Sequence, residues 1–505
     1  MKVQSSLLSV VALPALSAAA CLKSGDQNTI NQLFQKGGRG TVVQICQDTT
    51  IQITDVIKFS ADDQEISTKG YPMGSSRATI QIAPGNTAST MITGRYNDIR
   101  IKNIQLDGNR PNAGIQHNGG ANIEIGGEGK GQIVQYTASR NPRGWSCLHV
   151  IGSGNADAPC ANATIRDNDI GPCGQSGVDE NGNGRWADGV SLDCTSSLVQ
   201  NNTIDGPTDG GIVVFGSPHS LIDSNTIISS EEYLGFGAIN LVDGEYNGSY
   251  AGVVVSNNVI KGRLIFNLGI GIGANVWSFN DPFPLQGCAY VLNNSFSGSV
   301  AFPIAVNGWT DGLTIADNDA SGVTTPKSDF SDATSCGKPI QDLFNANANF
   351  VYDPQGISGP HFLQPEFVAS DGNITNFLCT STTLPSQLTM KPGVDLQSNT
   401  ALAKLKGVTT WFQGDNNIVV YDANGKPLWA SGSTIDGGCG SPSECELQFD
   451  ESGNLTTYYQ GKVRFSTNTG GLGKLLQFKN TSPWVEIQGA DGAVVWDTVN
   501  GLAKQ

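Results

Sequence analysis

The chain has 505 residues, a formal charge of −16, 63 glycines and four histidines. An acidic surface excludes nucleic acid and anionic membranes as natural partners, and disfavours a polyanionic substrate unless a local basic groove or a divalent cation compensates. Low charge with abundant Gly, Asn, Ser and Thr fits a turn-rich, all-β protein.

Residues 1–20 read as a secretory signal. Lys2 supplies the charge, Leu7 to Leu16 is largely apolar but too short to span a bilayer, and Ala18-Ala19-Ala20 offers a cleavage site. Lipidation of Cys21 is the alternative reading of that segment. No later stretch is long and apolar enough to be a transmembrane segment. A secreted chain places its eleven cysteines in an oxidising compartment. Cys21 with Cys46, Cys336 with Cys379 and Cys439 with Cys445 pair plausibly by proximity, and the odd count leaves at least one unpaired. Asn-x-Ser/Thr sequons, such as those at Asn162, Asn201, Asn247 and Asn293, are compatible with a secreted glycoprotein. No spacing resembles a zinc site.

Gln27 to Gln35 predicts a short amphipathic helix capping an open end, and the segments at 40–45 and 99–104 read as early strands. The motif apolar-x-x-Asn-x-apolar then recurs at Asn168, Asn202, Asn225, Asn258, Asn294 and Asn318, at intervals of 34, 23, 33, 36 and 24 residues. The short intervals fit one coil of a parallel β-helix, and the longer ones a coil with an insertion. Short β-branched strands stack ~4.8 Å apart in such a solenoid, so the asparagines read as a structural amide ladder. The expected boundaries are a β-helix over 21–325, a cap and connector over 326–384 where the repeat is lost, and a second domain over 385–505.

Carboxylates collect on the outer face of the middle coils. Val190 and Leu192 point inward, leaving Ser191 and Asp193 outside. Asp188 starts that strand, Asp209 lies outward or on the edge of the next coil, and Asp243 closes the strand after it. Adjacent coils place such groups ~5 Å apart, or ~10 Å one coil further, which brackets the acid-to-base separations of glycosidases. Crowding raises one pKa of a pair and suits a general acid. Asp188, Asp209, Asp193 and Asp243 are therefore catalytic candidates. The alternative is that Asp-Gly pairs merely form turns. His149, outward with Trp145 and Cys147, reads as a base or a structural histidine. Arg143, Arg185, Lys261 and Arg263 are candidate charge neutralisers or bases for lyase chemistry, which would also call for Ca²⁺ on the carboxylates. Loops at 174–185 and 231–250 rim the groove and offer Trp186, Asp179, Glu180 and Tyr246 for sugar contacts.

The repeat, with Asp107-Gly-Asn-Arg-Pro111, Pro142-Arg-Gly-Trp-Ser-Cys-Leu-His149, Ile170-Gly-Pro-Cys-Gly174, Trp186-Ala-Asp-Gly189 and Thr208-Asp-Gly-Gly211, resembles right-handed parallel β-helix proteins of the pectin-lyase-like group, of a secreted fungal type. The resemblance implies cleavage or remodelling of polysaccharides. The Gly-His-Gly and Arg-x-Lys pattern of polygalacturonases and the signature of pectate lyases are absent.

In the second domain Gln413, Asp415, Asn417, Val419 and Tyr421 fall at period two, so one strand would present all five on one face. The spacing Q-x-D-x-N-x-V-x-Y resembles the mannose-binding motif of bulb-type lectins, and Trp429 and Trp496 match tryptophans those lectins pack in their core. Two further repeats depart from the motif. Gln448-Phe-Asp450 is followed by two extra residues before Gly453-Asn-Leu-Thr-Thr-Tyr458, and Gln477-Phe-Lys479 has Lys where Asp is needed. One competent pocket is expected. The combined reading is a secreted polysaccharide-degrading enzyme, hydrolase over lyase because carboxylates outnumber basic residues on the face, tethered to mannose-bearing glycans. The alternatives are an adhesive lectin on a β-helical stalk and a polyuronate epimerase.

Overall fold

The computed structural model describes residues 21–117, 119–152, 160–178, 183–244, 248–277, 285–324, 349–369, 387–398, 400–405, 407–423, 425–440 and 444–502. The chain divides into two compact units, Met1–Thr380 and Ser381–Gln505. The signal segment, Cys336 and Cys379 lie outside the described residues.

The first unit is a right-handed parallel β-helix. Short strands pair in parallel from coil to coil, eleven of them in one sheet and nineteen in another. Three inward stacks form the core. Val134, Ile165, Val199, Ile222, Val255, Val291 and Ile315 stand in register and are fully buried. A second stack runs Ile170, Ile204, Ile227, Ile260 and Phe296, and a third runs Ile123, Leu148, Val190, Ile212, Ile239, Ile270 and Ile304. Each such side chain contributes roughly 1.5–3 kcal/mol by leaving water.

The asparagine ladder is continuous. Asn168 Nδ2 donates to Asn202 Oδ1 at 2.9 Å, and the same bond links Asn202 to Asn225, Asn225 to Asn258, Asn258 to Asn294 and Asn294 to Asn318 at 2.9–3.0 Å. Each Nδ2 also donates to a strand carbonyl of the preceding coil, as Asn225 does to Val199 at 2.9 Å. Each Oδ1 also accepts a backbone N–H from that coil. Asn318 passes the ladder on to Gln364 Oε1 at 3.0 Å.

Gln364 corrects one boundary. Strands Phe350–Tyr352, His361–Leu363 and Phe367–Ala369 pair in parallel with the coils before them, so the solenoid continues past residue 325. Its longer side chain substitutes for Asn at the ladder position, which hid this coil from a motif search. At the other end helix Gln27–Gly37 is N-capped by Asp26, which accepts from Thr29 N–H at 2.9 Å. The helix buries Ile30 and Phe34, the latter against Phe59. Disulfides join Cys21 to Cys46, Cys147 to Cys173, Cys160 to Cys194 and Cys439 to Cys445, and Cys288 is free. The Cys21 bond replaces the lipidation alternative. Four disulfides among the described residues, and no helix among them long and apolar enough to cross a membrane, are consistent with an extracellular protein.

The second unit has three antiparallel sheets that share one apolar core. Trp429, Phe465 and Trp496 meet edge to face at 6.0–6.2 Å, one from each sheet. Both expected tryptophans are there, and Phe465 fills the third place.

Candidate active site

Strand Asp188–Leu192 lies between Ser146–Ile151 and Gly210–Val214. Strict alternation would turn Asp188 inward with Val190. Gly189 breaks it. A Cβ on Gly189 would meet Ile204 of the core and the Gly211 carbonyl oxygen of the next coil at 2.5 Å, so only glycine fits there. Gly189 and Val190 thus face inward in succession, and Asp188 returns to the outer face with Ser191. Gly210 and Gly211 repeat the device on the next coil.

Asp188 is 5 % exposed. Its carboxyl accepts from Ser191 Oγ at 2.8 Å and from Gly210 N–H at 2.8 Å, and Ser191 Oγ lies 3.1 Å from Ser146 Oγ. Burial pushes its pKa up to about 7 against those two hydrogen bonds. Asp209 is partly buried at the groove surface, and burial, then the charge of Asp188, then that of Asp243 hold its pKa well above the carboxylate range. The three carboxylates therefore form one interacting group. Asp193 is not among the charges acting on Asp209. It lies at the end of its strand with its carboxylate over Gly152, and acts with Asp243 on the buried phenol of Tyr250.

Asn240, which sequence reasoning missed, is 0 % exposed, and neither amide atom has a hydrogen-bond partner. A Cβ on Gly210 would lie 2.8 Å from Asn240 Nδ2 and 3.2 Å from Asp188 Oδ1, so the amide stands beside the carboxylates. The signal that could have found it is Gly210 and Gly237 on successive coils, which clear the space it occupies.

Two candidates are reassigned. His149 packs against Trp145 at 4.5 Å and Phe215 at 6.4 Å; burial pushes its pKa down to about 4 and its Nδ1 has no partner. It is a neutral ring at pH 7 packed among aromatic rings, hence a poor base. Arg143 is 3 % exposed and donates to the carbonyls of Gly114, Asn86 and Ala88, bracing loops rather than serving as a base. Arg263 is likewise engaged, bidentate with Asp205 at 2.9 Å.

A cleft of about 350 Å³ is lined by Arg110, Gln116, His117, Arg143, Trp145 and Trp186 among others, and none of the three carboxylates is in its lining. The Trp145 carbonyl accepts from Asp188 N–H, so the link between cleft and Asp188 runs through the backbone. Trp145 is 37 % exposed, and Trp186 packs against Phe236 at 5.5 Å. Asp179, Glu180 and Tyr246 lie outside the described residues. Among the described residues no group of three or more His, Cys, Asp or Glu could hold a metal ion, and both Asp188 oxygens are already bonded.

The second unit modifies the single-strand expectation. Gln413 to Asn417 form the turn between strands Val408–Phe412 and Ile418–Asp422, closed by Gln413 N–H to the Asn417 carbonyl at 2.9 Å. The turn still gathers the motif. Gln413 Nε2 donates to Tyr421 Oη at 2.7 Å, Asp415 accepts from Asn417 N–H at 3.1 Å, and Asn417 Oδ1 accepts from Ser431 Oγ and Gly432 N–H. The second hairpin has the same length rather than two extra residues. Phe449 pairs with Leu455 as Phe412 does with Ile418, placing Asp450 where Gln413 stands and Ser452 where Asp415 stands. In the third, Lys479 takes the Gln413 place and is tied to Glu486 at 2.6 Å. Only the first hairpin keeps the full donor and acceptor set.

Residues 123–320 match the family model described as right handed beta helix region. No curated protein matches the chain. Among solved structures the chain is similar to the A-module of a mannuronan C-5 epimerase from Azotobacter vinelandii, at 13 % identity over 68 % of this chain and 92 % of that one, TM-score 0.42. It is also similar to an alginate lyase from Paenibacillus at 11 % identity over 60 % and 99 %, TM-score 0.39. A Polygonatum cyrtonema lectin solved with monomannoside is 32 % identical over 23 % of this chain and 99 % of that one, TM-score 0.17.

Proposed function

We propose that the chain is a secreted carbohydrate-active enzyme whose β-helix hydrolyses a cell-wall or extracellular polysaccharide, and whose second unit binds mannose-type glycans through Gln413, Asp415, Asn417, Val419 and Tyr421. The observation that carries the reading is the group Asp188, Asp209 and Asp243, in which burial first and mutual charge second raise the pKa of Asp209 well above the carboxylate range. Asp209 donates its proton to the departing glycosidic oxygen as the C–O bond breaks. Asp243 takes a proton from the water that adds to the sugar carbon. Asp188, fixed by Ser191 and Gly210, adds its charge when ionised to the burial that chiefly raises the pKa of Asp209. A held proton is what a general acid needs near its working pH.

The test is incubation with a polysaccharide panel across pH 4 to 9. A raised pKa on the essential acid predicts that kcat/KM is retained above the ordinary carboxylate range and falls only as pH rises through the raised pKa, since the acid form is then lost. A rate still climbing at pH 9 would contradict it, and would fit a base acting in β-elimination.

The lectin-like site adds local concentration rather than chemistry. Asp415→Ala is expected to weaken binding to immobilised mannan at least tenfold, measured by surface plasmon resonance, while leaving cleavage of a soluble polysaccharide unchanged. Undiminished mannan binding would place recognition elsewhere. A well-folded, mannose-binding chain inert on the whole panel would favour the adhesive alternative.

A further inference from the structure

Asparagine takes two neighbouring places at the turns of the β-helix, and only one of them builds the ladder. The residue before each ladder asparagine lies in the left-handed region. Asp167, Asn201, Ser224, Asn257, Asn293 and Asp317 have φ values of 54° to 58°. Asn and Asp tolerate that conformation better than most residues with a Cβ.

The two places differ in what stands two residues on. After a ladder asparagine comes an inward residue of the core, Ile170, Ile204, Ile227, Ile260, Phe296 or Ala320, each of them buried. These ladder asparagines therefore begin no Asn-x-Ser/Thr sequon. After a corner residue comes the first outward position of the next strand, which alternation turns away from the core. Thr203 stands there after Asn201 and Ser295 after Asn293, so both corners are sequons. Asn162 follows the same rule at another corner. Its φ is 60°, and Thr164, two residues on, opens strand Thr164–Arg166 ahead of the buried Ile165.

An N-linked sugar is bulky and needs a surface asparagine. Asn162, Asn201 and Asn293 are exposed and hold none of the ladder bonds, so a substituent on Nδ2 leaves ladder and core intact. Each adjoins a strand of the eleven-stranded sheet, whereas Asp188 starts a strand of the nineteen-stranded one. The sequon at Asn454 in the second unit is the opposite case. That side chain is half-buried; its Nδ2 donates to Thr456 Oγ1 at 2.8 Å and Ser466 Oγ at 3.1 Å, and its Oδ1 accepts from Thr469 N–H at 3.0 Å. A sugar on Nδ2 would displace one of those bonds.

We infer that Asn162, Asn201 and Asn293 are N-glycosylation sites, and that the secreted protein carries Asn454 bare. In the transfer, Nδ2 bonds to C1 of the first sugar of a lipid-pyrophosphate-linked oligosaccharide. The C1–O bond breaks, the lipid pyrophosphate leaves with the electron pair, and Nδ2 gives up one proton. The inference rests on the secretory reading above, which brings the chain to that donor, and not on the chemistry of the carboxylates.

The full chain is produced in a eukaryotic secretion host, beside a second preparation in which the host's own signal replaces residues 1–20. Protein from the medium is treated with a glycosidase that releases N-linked sugars in heavy-oxygen water. Each occupied asparagine becomes a labelled aspartate, which peptide mass spectrometry locates. Label is expected at Asn162, Asn201 and Asn293 in more than half of the molecules, and not at Asn454. Thr203→Ala and Ser295→Ala keep the asparagine but remove the sequon hydroxyl, and each is expected to abolish label at its own site alone with circular dichroism unchanged. Secreted protein unlabelled at any of the three corners, or labelled at Asn454 as fully as at Asn201, overturns the inference. Label at the corners only when the host's signal is used upholds the sites and overturns the secretory reading of residues 1–20 instead.

Discussion

Asp188→Asn and Asp209→Asn are expected to make the protein more stable above pH 7 while removing its activity. Both carboxyls have pKa values raised chiefly by burial. A carboxyl raised in the folded state binds its proton more tightly there than in the unfolded chain. Stability therefore falls as pH rises from the ordinary carboxylate range through the folded pKa. For Asp188 the rise from 3.8 to about 7 corresponds to on the order of 4 kcal/mol at and above pH 8. Asparagine keeps the shape and cannot ionise. Its thermal midpoint should exceed wild type by several degrees at pH 8 and match it near pH 4. Loss of the acid should lower kcat/KM by roughly 10²–10⁴ for Asp209→Asn. A variant equally destabilised at both pH values, with activity retained, would make these aspartates ordinary turn residues.

The second large effect concerns the ladder. Asn225 Oδ1 accepts from Asn202 N–H and Nδ2, and its own Nδ2 donates to Val199 and Asn258. Asn225→Ala removes four buried hydrogen bonds at once, each contributing ~0.5–1.5 kcal/mol, and leaves the Asn202 N–H without its acceptor. The expected loss is about 4 kcal/mol or more, read from the urea midpoint of β-helix unfolding. Aspartate there restores the acceptors but loses both donors and buries a charge, so it should do no better. A loss under 1 kcal/mol for Asn225→Ala would remove the ladder from the account of stability.

The ladder was legible in the sequence because one residue type at one turn of every coil leaves a period that survives insertions. Gln364 escaped because a longer amide reaches the same position with a different letter. The direction of Asp188 was open because alternation fixes side chains only inside a regular strand, and Gly189 interrupts it through a contact with Gly211 on the next coil. The lectin-like motif was legible as a spacing, yet its first half is a turn. Period two cannot distinguish a strand from a tight hairpin that returns Gln413 to Tyr421. Arg110 in Asp-Gly-Asn-Arg-Pro reads as part of a turn, and only the packing of residues 75 positions apart shows two of its nitrogens buried without partners. His149 and Arg143 were legible as polar groups near the face, but neither the burial of the first nor the carbonyl partners of the second is written in local sequence.

The central claim is tested most directly by the products of polysaccharide cleavage. Wild type and Asp209→Asn would be incubated with the polysaccharide panel, counting new reducing ends alongside the ultraviolet absorbance of unsaturated uronates. The account predicts reducing ends without that absorbance for wild type, and neither for Asp209→Asn. Absorbance rising in step with the reducing ends, or undiminished cleavage by Asp209→Asn, would contradict it.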